Sequence, residues 1–383
     1  FPDGLGSGAQ VKKATVENVD VESRNPGSDG IVFVGGGSFR DGEVYATSGG
    51  SVGYGIWTND STAGQLTVER SRITSPSWGV FADGPGVPVT VNRVTITDPV
   101  AYGVRANGGG QMTVRNTLIT SKQGYALSAG GLGAGDSLID ARNVTIVGLP
   151  GVPNAAIEAK VFNAVGNGDA TITVRDSIIR GHPNAFNRTA PAFGVGVGNA
   201  NITFSHTIVN PVGIEAGDGQ VTYGAGDLNV DPLFLPGYAL PATSPAVDAG
   251  DPAGGGPTDD HDGAARPRDG NGDGTARNDL GAFEYQPPAA PQGPGPAGGG
   301  SSAPAGPATP ASPAGPAADT TAPSLTGLKV LRPFTSRKGG RVRLTLSEPA
   351  RVTLTFTAAD RRARPRTVRR TFRAKAGRNT LKV

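Results

Sequence analysis

Three groups of side chains in this sequence have the types and spacing to do chemistry. The first is Asp269-Gly270-Asn271-Gly272-Asp273-Gly274, with Asp279 beyond it. A D-x-N-x-D-G run sets three oxygen-bearing side chains around one tight turn, the donor set of a Ca²⁺ loop, and Asp279 would add a fourth ligand. Leu280 stands where an EF-hand would carry its bidentate Glu, and no flanking helices are expected. The alternative is an acidic Asx-rich loop whose charges Arg266 and Arg268 neutralise. The second group is a column at repeat spacing: Trp57, Phe81, Arg105, Ser128, Glu158 and Glu215, flanked by Asn59, Asp83, Asn107 and Lys160. Aromatic rings beside carboxylates and an Arg can hold a sugar polymer. Glu158 and Glu215 would form an acid/base pair if their carboxyl groups stood about 5–10 Å apart. Outward positions also carry polar residues with no function at all. The third group is His182, His206 and His261, far apart in sequence and without an acidic or Ser partner at a known catalytic spacing. The run Gly194-x-Gly196-x-Gly198 leads into no helix and is a weak nucleotide signal.

What must position these residues is a repeat. Val68-Glu-Arg-Ser-Arg-Ile73, Val91-Asn-Arg-Val-Thr-Ile96, Val114-Arg-Asn-Thr-Leu-Ile119 and Val174-Arg-Asp-Ser-Ile-Ile179 are one element. Between its copies lies a second, as in Tyr54-Gly-Ile-Trp57, Trp78-Gly-Val-Phe81 and Tyr102-Gly-Val-Arg105. The period is 23 to 24 residues in the regular middle and lengthens to about 30 where loops are inserted. Such a unit cannot bury its own apolar face. Stacked one per coil at about 4.8 Å, the units make continuous parallel sheets around a shared core. Alternation points Val68, Val91, Val114, Ile73, Ile96 and Ile119 inward and Glu69, Asn92, Arg115, Arg142 and Arg175 outward. Asn18, Asn116, Asn143, Asp176 and His206 fall at the bend between two inward residues. The expected fold class is therefore all-β, a right-handed parallel β-helix.

Composition agrees. The 383 residues include 60 Gly and 32 Pro, too many for a helical protein, and no Cys, which excludes disulfides and thiolate-bound metal. No run of about 18 apolar residues occurs, so no membrane-spanning helix is expected. The net charge of +3 conceals an asymmetry. Lys and Arg crowd the segment after Pro323, where Glu348 and Asp360 are the only carboxylates, so the rest is acidic. The chain opens at Phe1, as expected of a processed chain or a fragment.

The coil pattern covers residues 1–238, and residues 239–286 read as a cap over the terminal coil. Within them, Leu240-Pro-Ala-Thr243 resembles a sorting signal but has Ser244 in place of Gly, so it reads as a turn. Residues 287–320 are nearly all Pro, Ala, Gly and Ser, a disordered linker. Residues 321–383 alternate with period two and predict a small basic β-sandwich. Its Arg361, Arg362, Arg364, Arg366, Arg369 and Arg370 lack interleaved aromatics, so an anionic cell-envelope polymer is a better partner than nucleic acid.

The coil motif resembles that of the pectate-lyase-like right-handed β-helix repeat proteins. Ser244-Pro-Ala-Val-Asp-Ala-Gly250 and Asp279-Leu-Gly-Ala-Phe-Glu284 resemble the C-terminal motifs of bacterial "choice-of-anchor" β-helix surface proteins. The last module resembles Ig-like domains of bacterial surface proteins. These resemblances imply export to the cell surface and name no reaction. The compact Asp-plus-Arg patterns of the lyases and the inverting polygalacturonase signature are both absent from the sequence. The expectation is a monomeric surface protein, structural or polysaccharide-binding, without catalysis. The alternative is a polysaccharide lyase or glycoside hydrolase acting on the same exposed face, with Ca²⁺ as the one candidate cofactor.

Overall fold

The computed structural model describes residues 9–23, 29–46, 53–58, 64–74, 77–133, 135–162, 166–191 and 198–287. It also describes the strands 325–332, 341–346, 350–358, 366–375 and 377–382, of which only the backbone is considered. Two units are distinguished, Phe1–Pro287 and Pro288–Val383. No helix among the described residues is long and apolar enough to cross a membrane.

The first unit is a parallel β-solenoid of about seven turns, wound into three parallel sheets. Each coil runs through sheet one, turns at a left-handed residue into sheet two, and returns by sheet three. The turn residues are Asn18, Asp41, Arg70, Arg93, Asn116, Asn143, Asp176 and His206, all with φ between 45° and 57°. Asn and Asp tolerate this conformation because their short polar side chains bond locally, while other L-residues give up about 1–2 kcal/mol. The bend read from the sequence is thus placed correctly, His206 included.

Inside the coils the apolar positions stack in register. Phe39, Val68, Val91, Val114, Ala141, Val174 and Phe204 form the ladder of sheet one. Val44, Ile73, Ile96, Ile119, Ile146 and Ile179 form that of sheet two. Ile56, Val80, Val104, Leu127, Ile157 and Phe186 form that of sheet three. Nearly all are fully buried, and each large side chain contributes about 1.5–3 kcal/mol over an exposed one.

Sheet three also needs close backbone approach. A Cβ on Gly55, Gly79 or Gly103 would lie 2.7, 2.2 or 2.6 Å from a carbonyl oxygen of the next coil. The Tyr/Trp-Gly pattern of the repeat therefore keeps adjacent coils at sheet spacing directly beside the aromatic positions.

Residues 239–286 do not cap the terminal coil. They lie along the side of the solenoid, against the outward face of sheet two. There Ile178 and Ile208 pack with Leu240, Ala246, Val247 and Leu280 in a second small core. The segment is fastened coil by coil. Ala282 N donates to Thr145 Oγ1 (2.8 Å), Asn143 Nδ2 to the Asp279 carbonyl (3.1 Å), Arg142 Nη2 to the Gly254 carbonyl (2.7 Å) and Asp251 N to Asp176 Oδ1 (2.7 Å). The cause is that outward Ile178 and Ile208 would otherwise expose apolar surface. Arg142, read as pointing to solvent, is consequently buried. The Pro241-Ser244 turn is present, with Leu240 buried.

The second unit has an antiparallel three-stranded sheet, Leu325–Arg332, Arg341–Leu346 and Gly377–Lys382, and an antiparallel pair, Ala350–Ala358 and Arg366–Ala374. The strands fall where alternation puts them. The linker 288–320 and Arg361, Arg362 and Arg364 lie outside the described residues.

Candidate functional site

The outward side of sheet three carries two parallel columns. One is Tyr54, Trp78, Tyr102 and Tyr125. The other is Trp57, Phe81, Arg105, Ser128, Glu158 and Asn187. At the N-terminal end the columns merge into an aromatic cluster. Tyr54 stacks on Phe81 at 5.1 Å and tilts on Trp57 at 4.8 Å, and Trp78 meets Phe81 edge-on at 4.7 Å. Tyr54, Trp57 and Trp78 remain partly exposed while Phe81 is buried beneath them.

One coil further on, the chemistry changes from apolar to ionic. The Arg105 guanidinium lies 4.2 Å over the Tyr102 ring and 5.2 Å from that of Trp78, and Nη1 donates to Ser128 Oγ at 2.7 Å. Ser128 in turn donates to Glu158 Oε2 at 3.0 Å, and Arg105 Nη1 stands 3.6 Å from the same oxygen. The Tyr102 and Tyr125 phenols lie close enough to Glu158 to feel its charge. Burial first, and then the Glu158 charge, hold both phenols above their ordinary pKa. Arg105 Nη2 reaches Asn107 Oδ1 (3.4 Å), and Asn107 Nδ2 donates to Asp83 Oδ1 (3.1 Å). Asn187 Nδ2 donates to the Tyr125 hydroxyl (3.2 Å).

This arrangement corrects two expectations. The column was expected to be exposed throughout, yet Arg105 and Glu158 are only 4% and 5% accessible. They bury because they neutralise each other and because the Arg105 guanidinium stacks on aromatic faces. Glu215, expected beside Glu158, is in a different row, Ala159–Arg188–Glu215. A one-residue slip in reading the last coil moves a side chain to the opposite pleat. Ile214, not Glu215, continues the Glu158 column, and Glu215 pairs instead with Arg188 Nη2 at 3.3 Å. The two glutamates are two coils apart, about 10 Å along the stack, and on opposite faces. They do not frame one glycosidic bond. Lys160 sits beside the column with Nζ 5.1 Å over Phe162. Asn59 lies outside the described residues.

The Asx-rich loop is built on its own backbone. Asp269 accepts from Gly272 N (2.7 Å) and Gly274 N (2.9 Å), Asn271 Oδ1 from Asp273 N (2.8 Å) and Asp273 Oδ1 from Thr275 N (2.7 Å). Asp279 is not among these groups. It is buried and accepts from Asp248 N and Tyr285 N. Among the described residues no group of three or more His, Cys or carboxylates is placed to hold a metal ion, and Asp279 stands apart from the loop that was read as sharing its ligands. Nor do Arg266 and Arg268 neutralise the loop. Arg266 is buried, with Nε 3.4 Å from Glu284, and Arg268 Nε bonds the Ala265 carbonyl.

The acids of the two C-terminal motifs act as backbone staples. Asp248 accepts from Gly270, Asn271 and Arg277 N–H groups, and Glu284 from those of Arg268 and Asp279. Burial raises the Asp279 carboxyl to about 7, and the nearby Glu284 charge adds to the rise. Glu284 is raised as well, by burial against the pull of Arg266. Sequence reading singled out Asp279 as a metal ligand and missed Asp248, Arg266 and Glu284 as its partners. The motifs containing them were the available signal. Comparison with known proteins adds no assignment: no family model, no curated protein and no solved structure matches this chain.

Proposed function

We propose that this is an exported surface protein that binds a polysaccharide along the outward side of sheet three and does not cleave it there. The observation that supports this most is the partly exposed aromatic cluster of Tyr54, Trp57 and Trp78, which continues directly into the Arg105–Ser128–Glu158 row. Aromatic faces pack against the apolar faces of sugar rings, and fixed polar groups bond their hydroxyls. Coils at about 4.8 Å spacing suit a repeating polymer. The non-catalytic reading rests on Glu158, whose carboxylate is already engaged by Arg105 and Ser128, and on Glu215 standing on the opposite pleat.

The solenoid is taken as right-handed, the hand that twisted parallel strands favour in their crossovers. The strands of residues 325–382 are taken as an Ig-like sandwich. Its Lys- and Arg-rich sequence suits an anionic envelope polymer. Electrophoresis of the full chain through gels cast with single polysaccharides tests the central reading. Retardation by at least one polymer, lost in Trp57→Ala and in Trp78→Ala while the melting temperature stays within a few degrees, supports it. Equal retardation of both variants and the parent removes sheet three as the binding face.

A further inference from the structure

On the other side of the solenoid, an open groove of about 480 Å³ lies where the C-terminal segment meets sheet two. Its wall includes Thr95, His261 and Asp262. The histidines gave no catalytic pattern in the sequence because the partner of His261 is 166 residues away. The outward column of sheet two runs Asp20, Glu43, Arg72, Thr95, Leu118, Thr145, Ile178 and Ile208. The C-terminal segment covers it from Thr95 onward. At that boundary His261 Nε2 is 2.9 Å from Thr95 Oγ1, and His261 Nδ1 is 2.8 Å from Asp262 Oδ1.

The proton positions follow from the partners. A carboxylate only accepts, so in the neutral ring Nδ1 carries the hydrogen and donates to Asp262. Nε2 then presents a lone pair to Thr95, whose hydroxyl donates to it. The imidazole is held in place by its own backbone, with His261 N donating to the Ala282 carbonyl (2.8 Å) and Arg93 Nε donating to the His261 carbonyl (3.1 Å). The ring also packs against Phe283 at 5.0 Å. A hydroxyl, a base and an orienting carboxylate in this order have the geometry of a nucleophilic triad, which is recognised by roles and distances and not by position in the chain.

We propose that Thr95, His261 and Asp262 form an acyl-transfer site that hydrolyses carboxylic esters in this groove. Thr95 Oγ1 attacks the ester carbonyl as its proton passes to His261 Nε2. The C–O bond to the alcohol breaks, and the alcohol leaves with that proton. Water then attacks the acyl-threonine carbonyl, giving its proton to Nε2. Thr95 recovers the proton as the acid is released, so ester and water become acid and alcohol. Arg72 is the register neighbour of Thr95 one coil back, exposed and without an ion pair among the described residues. It is the cation placed to stabilise the oxyanion. Asp262 is a positioning residue, acting through His261.

The test uses the full chain and p-nitrophenyl acetate. The parent is expected to release nitrophenol, and an acid-quenched sample to carry one acetyl group on the peptide containing Thr95. Thr95→Val removes the hydroxyl at nearly constant volume and should lower the rate by about 100-fold or more. His261→Ala should fall to the same level. Asp262→Asn is the check on folding, since that side chain is 72% exposed; it should lower the rate while leaving the melting temperature unchanged. Absence of hydrolysis by the parent, an undiminished rate in Thr95→Val, or acetyl groups only on other residues would each overturn the assignment.

Discussion

At the residue scale, the molecule separates buried charge from surface charge, and the two respond differently to mutation. Arg105–Glu158 is enclosed, so removing one partner strands the other. Glu158→Ala is expected to cost about 3–5 kcal/mol in denaturant unfolding. Glu215 is half exposed at the end of its own pair, and Glu215→Ala should cost at most about 1 kcal/mol. Equal costs would mean that the Glu158 site is solvated. The Asx loop gives a second residue-scale prediction. Its carboxylates are engaged by backbone N–H groups, so melting curves in Ca²⁺ and in chelator should superimpose. A rise in melting temperature with Ca²⁺, abolished by Asp269→Ala with Asp273→Ala, would show that the loop rearranges around the ion. The identity of these loop residues could be read from sequence. Their competing backbone partners could not, because Asx turns and Ca²⁺ loops share one residue pattern.

At the element scale, the segment 239–286 is the informative case. Its acids, Asp248, Asp279 and Glu284, and buried Arg266 hold irregular backbone against sheet two. The raised carboxyl of Asp279, at about 7 against an ordinary value of 3.8, gives a definite sign. Protonated Asp279 stabilises the fold fully below about pH 4, and that contribution is lost as pH rises through 7, a change of a few kcal/mol. Near pH 6 unfolding should therefore release more protons from the parent than from Asp279→Asn, as measured by calorimetry in buffers of different ionisation enthalpy. Equal release, or less from the parent, would contradict the assignment. Ile178 supplies the packing half of the argument. It faces outward under the segment, and Ile178→Ala should cost about 2–5 kcal/mol, whereas a solvent-facing residue would cost almost nothing. The pair Ile178-Ile179 breaks alternation, and this was the sequence's visible hint that something covers sheet two. The lateral course of the segment was not legible, because the residues it meets, such as Arg93 and His261, are far apart in the chain.

At the scale of the whole molecule, periodicity carried most of the information. The left-handed bends at Asn18, Asn116, Asn143, Asp176 and His206 and the three internal ladders follow from the repeat, since stacking forces equivalent residues into register. Where inserted loops lengthen the coil, register was lost by one residue, and that displaced Glu215 from the Glu158 face. Sheet three then presents an aromatic end and a satisfied polar row, the arrangement on which the proposed polymer binding rests, with Glu215 on the opposite pleat from Glu158. Both tryptophans of the chain, Trp57 and Trp78, lie on this face, so their emission reports on it alone. The decisive measurement is tryptophan fluorescence of the full chain titrated with a panel of polysaccharides, with the mixtures then assayed for released oligosaccharides. A saturable change with at least one polymer and no released product is the predicted result. No change with any polymer, or oligosaccharides whose release Glu158→Gln abolishes, would contradict binding without cleavage.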